Sequence, residues 1–179
     1  MMRISKLLCK SFALLSLLFI ACSNTDDIQQ KVTEIDASQL KVRDPFIFYD
    51  ADTDYYYLHV NGTLKVKSYK SKDLLTWQEN GYSFLPSAGF WGKEDFWAPD
   101  FYKYKDKYYL FITLSAPGVK RGTSVLVSDR VTGTFQPLVN APVTPQEWTC
   151  LDGSLYVDSE GIPWIFYCRE WVEVGDGEI

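Results

Sequence analysis

The sequence has very few residues that bind metals or exchange protons near neutral pH. It contains one histidine, His59, and four cysteines. No group of histidines and cysteines has the spacing of a zinc site, and a Ser-His-Asp triad would have to use His59. Because His59 lies in an apolar stretch typical of a strand, a packed structural role is the better interpretation. We therefore expect no metal and no other cofactor.

Positive charge is also scarce, and helical patterns are missing. The 18 Lys and Arg residues are outnumbered by 23 Asp and Glu residues, which gives a formal net charge of −5. This balance argues against a nucleic-acid partner, because phosphate binding needs clustered basic side chains. No segment shows sustained helical periodicity. The apolar run at residues 11–21 is too short for a membrane span, which takes about 20 residues.

That apolar run has the features of a targeting signal. It follows a basic start and ends in Phe-Ile-Ala-Cys at Cys22, which resembles a bacterial lipobox. Residues 1–21 are therefore predicted to be a lipoprotein signal peptide, with Cys22 lipidated and residues 22–40 forming a polar tether. The predicted location is the outer membrane, facing the periplasm or the cell surface. A plain signal peptide that happens to contain a cysteine is the alternative.

Aromatic residues are abundant, with 6 Trp, 12 Tyr and 11 Phe. They can bury a large core and can also stack on the apolar faces of sugar rings. An all-β core would account for most of them.

A repeat organises residues 41–179, which we predict to be one domain. Asp44, Ala98 and Asp152 occupy equivalent positions at successive steps of 54 residues. Each is followed by a strand, a tight turn and an aromatic strand, and a third strand follows in the first two units. Small antiparallel sheets repeated at this period predict an all-β fold, a β-propeller. A two-sheet sandwich is the alternative, but it does not predict a constant period.

The repeat amounts to two blades and the first half of a third. Because propellers need about four to eight blades, we expect the chain to be the N-terminal part of a longer protein or a truncated product.

Two carboxylates share the inner position of this repeat. Asp44 and Asp152 begin the first strand of blades one and three, and Ala98 occupies that place in blade two. First strands line the central channel, so the two acids are expected to converge across it. Paired carboxylates at a controlled distance are what glycosidic hydrolysis needs. An Asp before a strand is also a common turn or cap residue, which is the alternative for each.

The motifs around these positions resemble glycoside hydrolase family 43. They are Arg-Asp-Pro at 43–45, Phe-Trp-Ala-Pro-Asp at 96–100, Leu-Asp-Gly-Ser-Leu-Tyr at 151–156, and the turn Ser-Lys-Asp-Leu-Leu-Thr-Trp at 71–77. The resemblance implies a five-bladed propeller and the hydrolysis of arabinosyl or xylosyl linkages in plant polysaccharides, with inversion. Asp44 matches the general base, and Asp152 matches the carboxylate that orients the general acid and raises its pKa. The acid itself is expected in the fourth blade, beyond Ile179.

Four further residues are candidates for substrate binding. Trp97 is a candidate stacking wall or an inter-blade packing residue, and Asp100 is expected on the same side as Ala98. Trp91 is a candidate for the pocket rim. Glu170 is a sugar ligand, a solvated or ion-paired acid, or a stand-in general acid.

Other readings stay open. A sugar-binding surface lipoprotein without catalysis is one, and a sucrose- or fructan-cleaving enzyme is another, although the early Asn-Asp-Pro-Asn motif of those enzymes is not found. Cys150 and Cys168 flank a hairpin and are either free thiols or a disulfide. The register places Cys150 opposite Arg169, so a disulfide would need a one-residue bulge.

Overall fold

A computed structural model describes residues 33–174, which form three antiparallel sheets. The predicted signal peptide, Cys22 and most of the tether lie outside the described residues. The strands are β1 (Glu34–Asp36), β2 (Phe46–Asp50), β3 (Tyr55–Gly62), β4 (Lys65–Ser71), β5 (Thr76–Phe84), β6 (Glu94–Tyr104), β7 (Lys107–Ala116), β8 (Val119–Ser128), β9 (Gln136–Pro137), β10 (Cys150–Val157) and β11 (Pro163–Arg169).

Helix is confined to two 3₁₀ turns within the described range, Ala37–Gln39 and Trp171–Glu173. No helix of residues 33–174 is long and apolar enough to cross a membrane. The all-β fold predicted from the sequence is confirmed.

The sheets follow the repeat. The first has the order β1-β5-β4-β3-β2, the second β6-β7-β8-β9, and the third consists of the hairpin β10-β11. Blades one and two are thus complete four-stranded sheets, and the third sheet holds two strands. In the first sheet a fifth strand, β1, pairs with the outer edge of β5.

Local turn chemistry explains why the strands reverse where they do. At the β4–β5 turn, the Asp73 carboxylate accepts hydrogen bonds from the backbone N–H groups of Leu75 and Thr76, at 2.9 and 2.8 Å. Asp54, at the β2–β3 turn, has a left-handed φ of 54°. Short Asp side chains tolerate this conformation and bond to nearby backbone, so these turns form with little help from the rest of the chain.

The main core lies between the first and second sheets. Its buried side chains come from both blades and from the segments around them, and they include Tyr57, Val66, Phe84, Phe90, Phe96, Phe101, Leu110, Ile112, Leu114, Leu126 and Phe135. Phe48 of β2 packs against Phe101 of β6 at a centroid distance of 5.0 Å. His59 is fully buried and stacks on Phe101 at 4.2 Å, and burial lowers its pKa to about 3. It therefore stays neutral and has the packed role expected.

A second apolar cluster covers the other face of blade one. Leu58, Val60, Tyr69 and Trp77 are buried there beneath residues 35–42, which include Leu40 and Val42. Residues 34–40 were assigned to the tether from the sequence, but Glu34–Asp36 pair with β5, and Ile35, Ala37 and Leu40 pack on blade one.

The third sheet approaches the second very closely at Gly153. A Cβ atom added at this position would lie 2.4 Å from the Thr123 Oγ1 atom of β8. Only glycine fits this contact, so the residue after Asp152 is determined by packing between the sheets.

The two cysteines of the third sheet are free. Cys150 is buried and Cys168 is exposed. Cys150 pairs with Arg169, as expected, and Leu151 pairs with Cys168. The bulge lies between Leu151 and Ser154, on the side of the Leu151–Cys168 pair away from Cys150, so it does not bring the two cysteine side chains into phase.

Candidate active site

The three equivalent positions of the repeat share an unusual backbone conformation. The φ angles of Asp44, Ala98 and Asp152 are 49°, 41° and 53°, all in the left-handed region. Few residues other than glycine adopt it, and such strain clusters at functional sites. The ladders of β6 and β10 are also irregular beside Ala98 and Asp152. The 54-residue spacing therefore reflects a repeated local structure.

Asp152 lies within electrostatic range of other acids. Partial burial raises its pKa, and the negative charges of Asp44 and Glu170 raise it further. Its backbone N–H donates a hydrogen bond to the Thr113 hydroxyl oxygen of β7, at 2.9 Å. Asp44 is half exposed and forms an ion pair with the adjacent Arg43, at 3.2 Å. The two predicted catalytic carboxylates, from blades one and three, thus lie within electrostatic range of each other.

Asp100 belongs to the same electrostatic cluster. Burial raises its pKa, a hydrogen bond donated by Tyr102 at 3.0 Å opposes the rise, and the charge of Asp152 adds to it. Burial and the Asp100 charge raise the pKa of Tyr102 to about 12, so the phenol stays protonated as a donor. Because a bulge interrupts the ladder between Trp97 and Asp100, simple alternation from Ala98 does not place this side chain.

Trp97 carries a guanidinium group over its ring. The Cζ atom of Arg121 lies 4.2 Å from the ring centroid, and that of Arg43 lies 5.9 Å away. Trp97 is partly buried. The Arg43 side chain is 74% exposed, whereas the Arg121 side chain is 21% exposed.

Glu170 forms an ion pair with Arg121. Its side chain is 13% exposed, and it follows β11 directly, where its backbone N–H donates to the Thr149 carbonyl at 2.8 Å. Of the readings open for Glu170, the ion-paired acid is the one this contact supports.

Trp91 is fixed against blade two. Its indole N–H donates to the Ser124 hydroxyl of β8 at 2.7 Å, and its backbone N–H donates to the Asn140 side chain at 2.9 Å. It also packs beside the main core. A role at the pocket rim stays a prediction.

Sequence reasoning missed Arg121 and Asp95. The Arg121 Nε atom lies 3.2 Å from an Asp95 oxygen, which also accepts a hydrogen bond from Ser115 at 2.6 Å. Arg121 lies in a polar hairpin strand, where no motif or spacing distinguishes it from a solvated cation. Within residues 33–174, no group of three or more His, Cys, Asp or Glu side chains could hold a metal ion.

The family assignment rests on most of the chain. The sequence model of glycosyl hydrolases family 43 matches residues 37–179. The chain belongs to this family. Asp44 and Asp152 therefore lie at equivalent positions of the repeat within a family 43 domain, and their catalytic roles stay predictions.

Individual family 43 relatives are similar over about three quarters of the chain. The crystal structure of an endo-arabinase from Bacteroides thetaiotaomicron is 60% identical, with a TM-score of 0.76, and the match covers 78% of this chain and 49% of that one. An endo-1,4-beta-xylanase from the same organism is 27% identical, with a TM-score of 0.60 and coverages of 73% and 43%.

A curated relative agrees with these structures. An extracellular exo-alpha-(1->5)-L-arabinofuranosidase of Cellvibrio japonicus is 25% identical over 151 residues, which are 75% of this chain and 42% of the relative. The chain thus spans about half the length of the relatives it matches.

Proposed function

We propose that the protein hydrolyses arabinosyl or xylosyl linkages of plant-type polysaccharides with inversion at the anomeric carbon. The observation that carries the proposal is the pair Asp44 and Asp152. They lie on matching strained positions of a family 43 propeller and within electrostatic range of each other. Arabinan is the first substrate to test, because two of the relatives described above are named for arabinan-type linkages.

In this proposal Asp44 is the general base. Its half-exposed carboxylate accepts a proton from a water molecule, whose oxygen attacks the anomeric carbon as the glycosidic bond breaks. The leaving oxygen takes a proton from a general acid. We assign no residue of 33–174 to that role, because the Glu170 carboxylate is engaged by Arg121.

Asp152 is proposed to act on the general acid by its charge. A negative charge near a second carboxyl disfavours ionisation of that carboxyl, which keeps it protonated and able to donate. Trp97 and Asp100 are proposed to bind the sugar by stacking and by hydrogen bonding. Trp91 is proposed for the rim.

The experiment is a pH–rate profile of the protein expressed from its complete reading frame, on aryl arabinofuranoside and aryl xyloside. Asp44→Asn removes the base but keeps the shape, so turnover should fall by at least about 10²-fold while sugar binding is retained. Asp152→Asn lowers the pKa of the acid, so the basic limb should move to lower pH and the rate should fall. Wild-type turnover in Asp44→Asn would show that the catalytic assignment is wrong.

We also propose that the protein is anchored by lipid at Cys22 and faces the periplasm or the cell surface. The basic start, the apolar run 11–21 and the small residue before Cys22 support this. One relative is described as extracellular. No nucleic-acid partner is proposed.

A further inference from the structure

Arg121 contacts three residues of the candidate site at once. Its Nη1 atom binds Glu170 at the end of β11, its Nε atom lies 3.2 Å from Asp95 of β6, and its guanidinium lies 4.2 Å from the Trp97 centroid. Arg121 itself belongs to β8. One partly buried side chain therefore joins blade two to the third sheet beside the proposed catalytic acids.

The segment held by Arg121 is strained. Asp95 has a φ of 57° and Ala98 a φ of 41°, both left-handed, and the ladder between β6 and β7 is irregular around Trp97. Backbone of this kind persists only where its surroundings hold it in place. The ion pair to Asp95 and the flat contact with Trp97 supply such support, because a guanidinium can stack on a ring and donate from its edge simultaneously.

The second effect of Arg121 is electrostatic. Glu170 acts on Asp152 through its negative charge, which favours protonation of Asp152. Arg121 places a positive charge directly on Glu170 and so opposes this effect. The acids that interact electrostatically with Asp152 are Asp44, Glu170 and Asp100. Around them, Arg43 pairs with Asp44, Arg121 pairs with Glu170 and Asp95, and Tyr102 donates to Asp100. Because Arg121 is the cation paired with Glu170, its loss leaves the Glu170 charge uncompensated.

We propose that Arg121 is a positioning residue of the active site, which holds Trp97 as the sugar-stacking surface and neutralises Glu170 beside Asp152. This inference rests on the proposed function. Because Arg121 covers part of the indole, the sugar stacks on the ring surface that the guanidinium leaves free. Arg121 touches no reacting atom and acts through Trp97, Glu170 and Asp152.

The test compares variants that remove the charge of Arg121 with one that keeps the charge but changes the shape of the side chain. All are made in the protein expressed from its complete reading frame. Arg121→Met leaves Glu170 unpaired, so Asp152 should be protonated at higher pH. Because the proposed role of Asp152 depends on its negative charge, the acidic limb of the pH–rate profile should move to higher pH. Arg121→Met combined with Glu170→Gln removes both charges, and the limb should return towards its wild-type position. Arg121→Lys keeps the charge but loses the flat contact, so KM should rise roughly five-fold with the acidic limb in place.

Lys120→Met is the matched control. Lys120 also belongs to β8, and it pairs at 2.6 Å with Glu173 in the 3₁₀ turn after β11. It joins the same two elements without a recorded contact to Trp97 or Glu170, so the acidic limb should stay in place. An unmoved limb in Arg121→Met, or an equal shift in Lys120→Met, would overturn the inference. Failure of the proposed function has a different signature, which is wild-type turnover in Asp44→Asn.

Discussion

At the scale of single residues, the site depends on side chains that tolerate a strained backbone. A left-handed conformation costs an L-residue roughly 1–2 kcal/mol, and Asp and Asn bear it better than most. Asp occupies two of the three equivalent positions, Asp44 and Asp152, and Ala98 occupies the third. At Asp152 the cost of burying a charge near other acids is added to the cost of the backbone.

This second cost predicts a gain in stability from Asp152→Asn at neutral pH. Because the folded state raises the pKa of Asp152, it holds the proton more tightly than the unfolded chain does. The stability that protonation contributes is fully present below the unfolded pKa and is lost as pH rises through the folded pKa. The free energy of unfolding, measured by urea titration, should therefore be larger for Asp152→Asn than for wild type near neutral pH. The difference between the two should shrink in acid.

Asp129→Asn is the control for this comparison. An ion pair with Lys107 lowers the pKa of Asp129, so the ionised Asp129 carboxylate stabilises the folded state. Asp129→Asn should therefore bring no gain in the free energy of unfolding at neutral pH. Equal stability of Asp152→Asn and wild type at every pH would contradict the assigned cause. Asp152→Asn is thus expected to gain stability and to lose turnover, which is the usual trade-off at functional sites.

At the scale of strands, the position of Asp152 is set by how closely β10 approaches β8. Gly153 faces Thr123 with no room for a Cβ atom, and the Thr113 hydroxyl accepts the Asp152 backbone N–H. Thr123 Oγ1 is itself buried without a hydrogen-bond partner in the described part of the chain. The strand that carries Asp152 is therefore located by steric contact and one hydrogen bond.

Gly153→Ala should destabilise the fold by about 1–3 kcal/mol, the usual cost of overpacking. It should also reduce turnover, because β10 must move away from β8 and take Asp152 with it. Urea unfolding and the rate on aryl arabinofuranoside measure the two effects. Thr123→Ala in the same chain should recover part of the loss, since it removes the two nearest atoms.

Gly89→Ala is the matched control, because nothing lies within 4 Å of its added Cβ. A Gly153→Ala variant as stable and active as Gly89→Ala would show that β10 accommodates the methyl group without moving.

At the scale of the whole molecule, each described sheet depends on its neighbour. Tyr108 of β7 donates to the buried Asp50 at the end of β2 at 2.7 Å, and Lys103 of β6 pairs with Asp52. Burial together with Asp50 raises the pKa of Tyr108 to about 12, so this link between blades stays protonated in ordinary buffers.

The third sheet exposes Tyr156, Trp164 and Phe166, and large exposed aromatic faces of this kind mark contact surfaces.

The location of the whole protein is tested at Cys22, outside the described residues. Cys22→Ser removes the thiol that would carry lipid, so the protein should leave the detergent phase in a detergent partitioning assay or remain unprocessed. Cys9→Ser changes a cysteine within the predicted signal peptide and should leave partitioning unchanged. If Cys22→Ser partitions into detergent as wild type does, the lipid-anchor proposal is wrong.

The sequence by itself determined the elements of this protein. Strand alternation and Asp-rich turns are local signals. Hairpins, the three-fold repetition of Asp44, Ala98 and Asp152, and the packed role of His59 could therefore be predicted. The pairing of Cys150 with Arg169 was also predicted correctly, but the turn is one residue longer than expected, and only the bulge between Leu151 and Ser154 restores the register.

Only the tertiary structure decided which charges meet. Arg121 and Glu170 are 49 residues apart, and Arg121 and Asp95 are 26 apart. Their meeting depends on the bulges in β6 and β10 and on the approach of β10 to β8 at Gly153. Bulges and sheet-to-sheet contacts arise from packing between distant segments, so no periodic pattern in the sequence predicts them. The equivalence of Asp44 and Asp152 in the repeat could thus be predicted from sequence, but the contacts of Arg121 with Asp95, Trp97 and Glu170 could not.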